Sequence, residues 1–273
     1  MKILFATDLH GDRTKYSRLV EVAKDFKAEV IINCGDMLPK GKDILNQGEF
    51  IIDYLDGYFS ELNAAGIYHL SYLGNDDLQM FDQLFEDTCG KYPYIINLAQ
   101  RKFEIQGQEF IGMNWVTDYP FLLKDRCRKD TEDYVFPPQK GKGLVSTAQG
   151  LREIRDWVSY ATALPTIEDE LDRLVRPVSI EKAVYVIHMP PSGLGLDVCR
   201  DGREVGSKAL YRFIEKNQPL LTLHGHIHES PDRTGIWQAK LGETICVQPG
   251  QSYRQLTYVT IDTIAMKIER WQI

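Results

Sequence analysis

Three short apolar runs, each leading into a helical pattern, constrain the fold of this chain more than any other feature. Ile3–Thr7, Val30–Ile32 and Ile67–Leu73 read as buried strands. After the first, Leu19, Val20, Val22, Ala23 and Phe26 recur at helical spacing. After the second, Phe50, Ile51, Tyr54, Leu55, Tyr58, Phe59 and Leu62 form an i, i+4, i+8 stripe, and Gly66 stands where such a helix stops. Parallel strands need a crossover of a dozen or more residues, usually a helix. Three such units in succession therefore predict a largely parallel sheet.

The second half is patterned differently. Phe103–Ile105 and Phe110–Met113, with Gly107 between them, predict a hairpin. Val184–Ile187 and Leu220–Leu223 are short buried strands with a helix near Ser207–Lys216 between them. Leu241–Val247, Leu256–Ile261 and Ile264–Trp271 follow as strand after strand. The expectation is an α/β fold in which two sheets pack face to face with helices outside. The chain of 273 residues reads as a single domain, 1–273, long enough to bury its own core. Residues 118–165 break the pattern with Pro120, Pro137-Pro138 and Lys140-Gly141-Lys142-Gly143. They read as an insertion over one end of the core, ending in an amphipathic helix through Leu151, Ile154, Val158 and Ala161. Its cations Lys124, Arg126, Arg128, Lys129, Lys140 and Lys142 read as a solvated loop rather than a cover for phosphate.

Composition removes several classes. Lys+Arg 32 against Asp+Glu 39 leaves a charge of −7. That balance argues against a nucleic-acid or membrane partner held by general electrostatics. The five cysteines form no C-x-x-C pair, and Cys34 and Cys246 lie in apolar runs, so neither a disulfide framework nor a cysteine zinc site is expected. No apolar stretch reaches 18 residues, and the first apolar run is too short for a signal peptide. A cytoplasmic location is expected.

The polar residues that close the strands carry the chemistry. Asp8-Leu9-His10 follows the first strand, Gly35-Asp36 the second and Gly74-Asn75-Asp76-Asp77 the third. His188 follows Tyr185-Val186-Ile187, and Gly225-His226-Ile227-His228 follows Leu220–Leu223. Ligands of open α/β sheets bind beyond the carboxyl ends of the strands, so five loops converge on one place. Any one of these turns is ordinary; the ordered set is not. Carboxylate, imidazole and an amide oxygen suit divalent ions such as Mn, Fe or Zn. Asp-x-His and His-x-His put alternate side chains on one face of an extended segment. A lone carboxylate such as Asp36 suits sharing between two ions. His69 and His224 fit no such slot and read as packing residues.

In these motifs the sequence resembles the calcineurin-like metallophosphoesterase superfamily. The resemblance runs from Lys2 to about Gly250 through Asp8-x-His10, Gly35-Asp36, Gly74-Asn75-x-Asp77, His188 and Gly225-His226-x-His228. It implies a four-layer α/β/β/α sandwich of two mixed β-sheets and a dinuclear centre. Asp8, His10, Asp36 and His228 would hold one divalent metal ion, and Asp36, Asn75, His188 and His226 the other. Asn75 and His188 would also help fix the phosphate, and Asp77 would orient its loop. The implied activity is hydrolysis of a phosphate mono- or diester, or a phosphoanhydride, by a hydroxide bridging the two ions.

One position departs from that family. Its third motif usually reads Gly-Asn-His-Asp/Glu, and the histidine helps protonate the leaving group; here Asp76 stands in that slot. Beside two dications its pKa is expected to be depressed. Arg200 and Arg203, after His188, are candidates for contacting substrate phosphate, since guanidinium matches phosphate in bidentate geometry. Two rival readings are a binding scaffold, as in a retromer subunit of this fold, and a nuclease. A scaffold has no reason to keep every ligand position filled. A nuclease is disfavoured by the net charge and the lack of a basic, aromatic-interleaved stripe. A small phosphorylated substrate remains.

Overall fold

The computed structural model of the chain describes residues 1–41 and 44–273. Its first four strands are β1 (Lys2–Ala6), β2 (Val30–Asn33), β3 (Tyr68–Ser71) and β4 (Ile95–Asn97), paired in parallel in that order. β5 (Lys102–Ile105) and β6 (Gln108–Met113) then form the expected hairpin. Two short pairs follow: β7 (Val116–Thr117) with β8 (Cys127–Arg128), and β9 (Gly143–Thr147) with β10 (Gly150–Ile154). β11 (Val184–Ile187), β12 (Leu221–Leu223), β13 (Gln238–Leu241) and β14 (Thr244–Val247) complete a second sheet in the order β13-β14-β12-β11-β6-β5. β15 (Thr257–Asp262) and β16 (Lys267–Gln272) return to the first sheet, giving β16-β15-β1-β2-β3-β4. Both sheets are mixed.

Residue alternation builds the layers. Ile3, Phe5, Val30 and Ile32 point into an inter-sheet core with Phe110, Val184, Val186, Leu221 and Leu223. Leu4, Ala6 and Ile31 face the other way, onto Leu19, Val20, Phe59 and Leu62 of the helices. Ile111, Met113, Tyr185 and Ile187 face Leu171, Leu210, Phe213 and Ile214 on the far side. The result is helix, sheet, sheet, helix. The helix Arg13–Phe26 starts at Asp12, whose carboxylate accepts from Thr14 N and Lys15 N, and ends with Lys27 in the left-handed region.

Register sets up the site. Ala6 pairs with Asn33 and Asn33 with Ser71, so β1, β2 and β3 end level. Ile187 pairs with Met113 and Val186 with Leu223, so β11 and β12 end together. The loops carrying the five polar clusters therefore leave both sheets at the same edge.

The segment between β6 and β11 differs from its sequence pattern. Leu151 and Ile154 lie in β10, paired with β9, and the helix is confined to Trp157–Thr162. The cause is Gly150, whose φ of +110° turns the chain back on Thr147 and starts a hairpin. Four of its cations, Lys124, Arg126, Arg128 and Lys129, are buried rather than solvated, while Lys140 and Lys142 stay exposed. Lys124 and Asp118 form a buried ion pair at 2.7 Å, and Asp118 also accepts from Trp157 Nε1 at 2.9 Å and Gln139 Nε2 at 2.8 Å. Arg126 reaches Asp82, and Arg128 lies over the Trp115 ring. Removing one partner of a buried pair costs about 3–5 kcal/mol, so Asp118 and Lys124 fix this segment in place.

Candidate metal centre

The side chains at this edge fall into two groups that share Asp36. In the first, His10 Nε2 lies 3.1 Å from His228 Nε2 and 3.9 Å from Asp36 Oδ2, while His228 Nε2 lies 3.3 Å from Asp8 Oδ1. One donor atom from each of Asp8, His10, Asp36 and His228 fits within 4.8 Å of all the others. In the second group, Asn75 Oδ1 lies 2.8 Å from His188 Nε2 and 2.6 Å from His226 Nδ1, and His188 Nε2 lies 3.6 Å from Asp36 Oδ1.

The backbone is bent to achieve this. Asp8, His10, Asp36 and His226 all have φ between +45° and +69°. Non-glycine residues rarely enter this region, and each such residue costs about 1–3 kcal/mol. Close approach adds to the demand for glycine. A Cβ on Gly74 would meet the backbone N and Oδ1 of Asp36 at 2.3 Å, and one on Gly225 would meet Thr7 Oγ1 at 2.2 Å.

The atoms present fit a cation. Two imidazole nitrogens face each other across 3.1 Å, and the buried Asp8 Oδ2 has no hydrogen-bond partner among the described residues. His188 Nδ1 is held by the Cys34 carbonyl, which leaves Nε2 as the free ring atom. That atom lies 2.8 Å from the acceptor-only Oδ1 of Asn75, a pair that a cation or a proton on Nε2 satisfies. The electrostatics agree. Burial pushes the His188 imidazole down, but the Asp36 carboxylate beside it raises it well above its usual value. Burial likewise pushes Asp8 up, and His228 brings it down to about 2.

Asp77 is fully buried and does not face this space. Its carboxylate accepts from the backbone N–H groups of Met37 at 2.9 Å, Leu38 at 2.8 Å and Gly74 at 2.7 Å, tying the Asp36 loop to the Asn75 loop. Arg200 and Arg203 line the mouth of the adjoining cleft. Neither contacts the cluster; Arg203 Nε donates to Asp201 at 2.8 Å.

A family model described as calcineurin-like phosphoesterase matches residues 1–230. The chain belongs to the calcineurin-like phosphoesterase family. Solved structures share this fold. One crystal structure is 20% identical over 99% of this chain and 98% of its own, with a TM-score of 0.63. The protein TT1561 of Thermus thermophilus is 18% identical over 99% and 98%, with a TM-score of 0.58. A dimetal phosphatase from Danio rerio is 11% identical over 95% and 91%, with a TM-score of 0.51. A search of curated proteins finds no match.

In this calcineurin-like phosphoesterase the motif patterns do not disclose three further residues beside the cluster. Lys40 Nζ lies 3.0 Å from His10 Nε2 and 3.7 Å from Asp76 Oδ2. Tyr119 places its ring 5.7 Å from His226, with its hydroxyl 3.5 Å from Asn75 Nδ2. Arg126 donates to the Gly74 carbonyl. Of these, the sequence singles out only Arg126, as one of the insertion's cations and with no sign that it reaches Gly74. Asp76 donates its backbone N–H to Asp36 Oδ1 at 2.8 Å, and its carboxylate lies 4.0 Å from His10 Nδ1. Protein groups alone, burial first and then the Asp36 charge, push its carboxyl up to about 6. The depression expected from the sequence rests on bound dications, which act in the opposite direction. His69 and His224 are buried, His69 against the Tyr58 and Phe59 rings and His224 bonded to the Ile187 carbonyl and the Thr222 hydroxyl.

Proposed function

We propose that the chain is a metal-dependent hydrolase of phosphate mono- or diesters, or of phosphoanhydrides, working with two divalent cations. The single observation that carries this reading is the position of Asp36 between two donor groups, Asp8, His10 and His228 on one side and Asn75, His188 and His226 on the other. Manganese, iron or zinc suits this nitrogen and oxygen set. Bound there, such cations make a water nucleophile available near neutral pH and neutralise phosphoryl oxygens.

The chain's own residues do the rest. Asp36 holds the two halves in register. Asn75 and His188 face the same space and would orient the phosphoryl group, while Asp77 keeps the Asp36 and Asn75 loops from moving apart. Arg200 and Arg203 stand further out, where an anionic substrate would enter.

Metal analysis of the purified protein, with hydrolysis of 4-nitrophenyl phosphate and bis(4-nitrophenyl) phosphate before and after chelation, tests the reading. About two equivalents of metal and chelator-sensitive turnover are expected. Full turnover in metal-free protein would overturn it.

A further inference from the structure

The cleft above the cluster has a volume of about 1150 Å³, far more than a phosphate group needs. Its walls carry aromatic rings in sequence. Tyr119 lies 5.7 Å from His226, and Phe121 lies 5.8 Å beyond Tyr119, centroid to centroid. Lys140 places its ammonium 5.5 Å from the Phe121 ring. Tyr253, on the loop before β15, adds another ring to the lining. Phe121 is 58% exposed and Tyr253 78% exposed, so folding does not account for either. A single exposed ring is ordinary. Two exposed rings lining one concave site, with a third leading down to the metal donors, make a surface for a flat ligand.

Two acidic residues of the lining, Asp118 and Asp130, are not free to meet a ligand. Both oxygens of Asp118 are taken by Lys124, Trp157 and Gln139. Both oxygens of Asp130 are taken by the Ser207 hydroxyl and the backbone N–H groups of Lys208 and Ala209. These two carboxylates are committed to holding the fold, and those that keep free oxygens, Asp133, Glu204 and Glu229, line other parts of the cleft.

We propose that the cleft takes a phosphoester whose alcohol half carries a flat aromatic ring, of the nucleoside or aryl class. Its phosphoryl group sits at the Asp36 cluster and its ring rests on the Tyr119–Phe121 wall. This inference rests on the phosphoesterase reading. Tyr119 stands nearest the donors and Phe121 next to it, so rings set at different distances from the phosphorus meet the same wall, and Lys140 supplies a cation beside Phe121.

The test is calorimetric binding to manganese-loaded protein, so that it does not depend on turnover. The probes are inorganic phosphate and the uncleavable methylenephosphonate isosteres of AMP, ribose 5-phosphate and phenyl phosphate. A ring stacked on aromatic side chains strengthens binding by about 5- to 100-fold. Both ring-bearing isosteres should exceed the ribose isostere by that margin. Phe121→Ala should remove most of the gain and Phe121→Trp should keep it, with unchanged melting because the ring is exposed. Tighter binding of the AMP isostere assigns the nucleoside class, and tighter binding of the phenyl isostere the aryl class. Equal binding of all three isosteres alongside measurable phosphate binding overturns the inference and leaves the phosphoesterase reading intact. A ring-dependent gain that survives Phe121→Ala overturns the assignment to this wall. No binding of phosphate or any isostere, with no hydrolysis, overturns the phosphoesterase reading and this inference with it.

Discussion

Arg126 donates from Nε to the carbonyl oxygen of Gly74 at 2.9 Å and closes its guanidinium on the Asp82 carboxylate. The residue that holds the Asn75 loop from behind thus comes from the segment between β6 and β11, not from the sandwich. Neighbours reinforce it: Asp125 accepts from Gln79 N at 2.9 Å, and Ser146 Oγ accepts from Met80 N at 2.9 Å. Arg126→Ala strips the buried Gly74 carbonyl of its donor. A loss of about 1–3 kcal/mol in stability is expected. Metal affinity should also fall by about 10–100-fold, as for other groups that orient metal ligands. Arg126→Lys, which keeps the charge, should recover part of both. A melt and a metal titration on the three proteins check this. A lower melting temperature with unchanged metal affinity would mean that the contact serves only the fold.

Asp36 and His188 offer the complementary case. Both are buried, yet both leave their strands for the loops above the apolar layers. Asp36→Ala and His188→Ala should each cut turnover by at least about 100-fold. Each should keep a cooperative melt, because the four apolar core clusters pack without either side chain. Loss of folding in both variants would make the cluster structural.

Much of this arrangement is legible in the sequence, for identifiable reasons. β1, β2 and β11 are runs buried on both faces, so continuous apolar residues mark them, and the polar residue that ends each run marks the rim. Asp8, Asp36 and His188 are found that way. Arg126, Tyr119 and Lys40 are not. Arg126 and Tyr119 reach the rim by long-range packing, and Tyr119, 44 positions from the Asn75 it touches, leaves no periodic trace, while Lys40 lies on the Asp36 loop without a motif to mark it. The Leu151–Ala161 stripe misleads for a related reason. Its spacing fits a helix, but Gly150 and the hairpin partner β9 decide the first half.

His69 gives a pH dependence that has no part in chemistry. It is fully buried against the Tyr58 and Phe59 rings, and neither ring nitrogen has a partner among the described residues. Burial lowers its pKa to about 3. The unfolded chain takes up a proton near the ordinary value of about 6.5, and the folded chain does not. Its contribution to stability is therefore full above about pH 6.5 and is lost as pH falls toward 3. At pH 5 the loss reaches about 2 kcal/mol. His69→Leu should flatten the decline in melting temperature between pH 7 and pH 5. A decline as steep as in the parent would assign it to other groups.

Asp76 stands where the family's usual motif supplies a proton to the leaving group. Its carboxylate pairs with Lys40 at 3.7 Å, and its own peptide N–H is spent on Asp36. At pH 8 it is ionised even with the carboxyl raised to about 6, and cations at the cluster only favour ionisation further. A positioned general acid is worth about 10²–10⁴-fold, and a carboxylate cannot provide that. The deficit weighs most on alkyl esters, whose leaving oxygens are strongly basic. It weighs least on aryl esters and phosphoanhydrides, whose leaving groups are stable as anions. Turnover at pH 8 across esters of graded leaving-group pKa should therefore show a steep negative slope. In Asp76→His the slope should flatten, with the gain confined to poor leaving groups, because the imidazole restores a donor beside His10. A shallow slope in the parent, or alkyl-ester turnover lost in the variant, would show that Asp76 itself delivers the proton despite its surroundings.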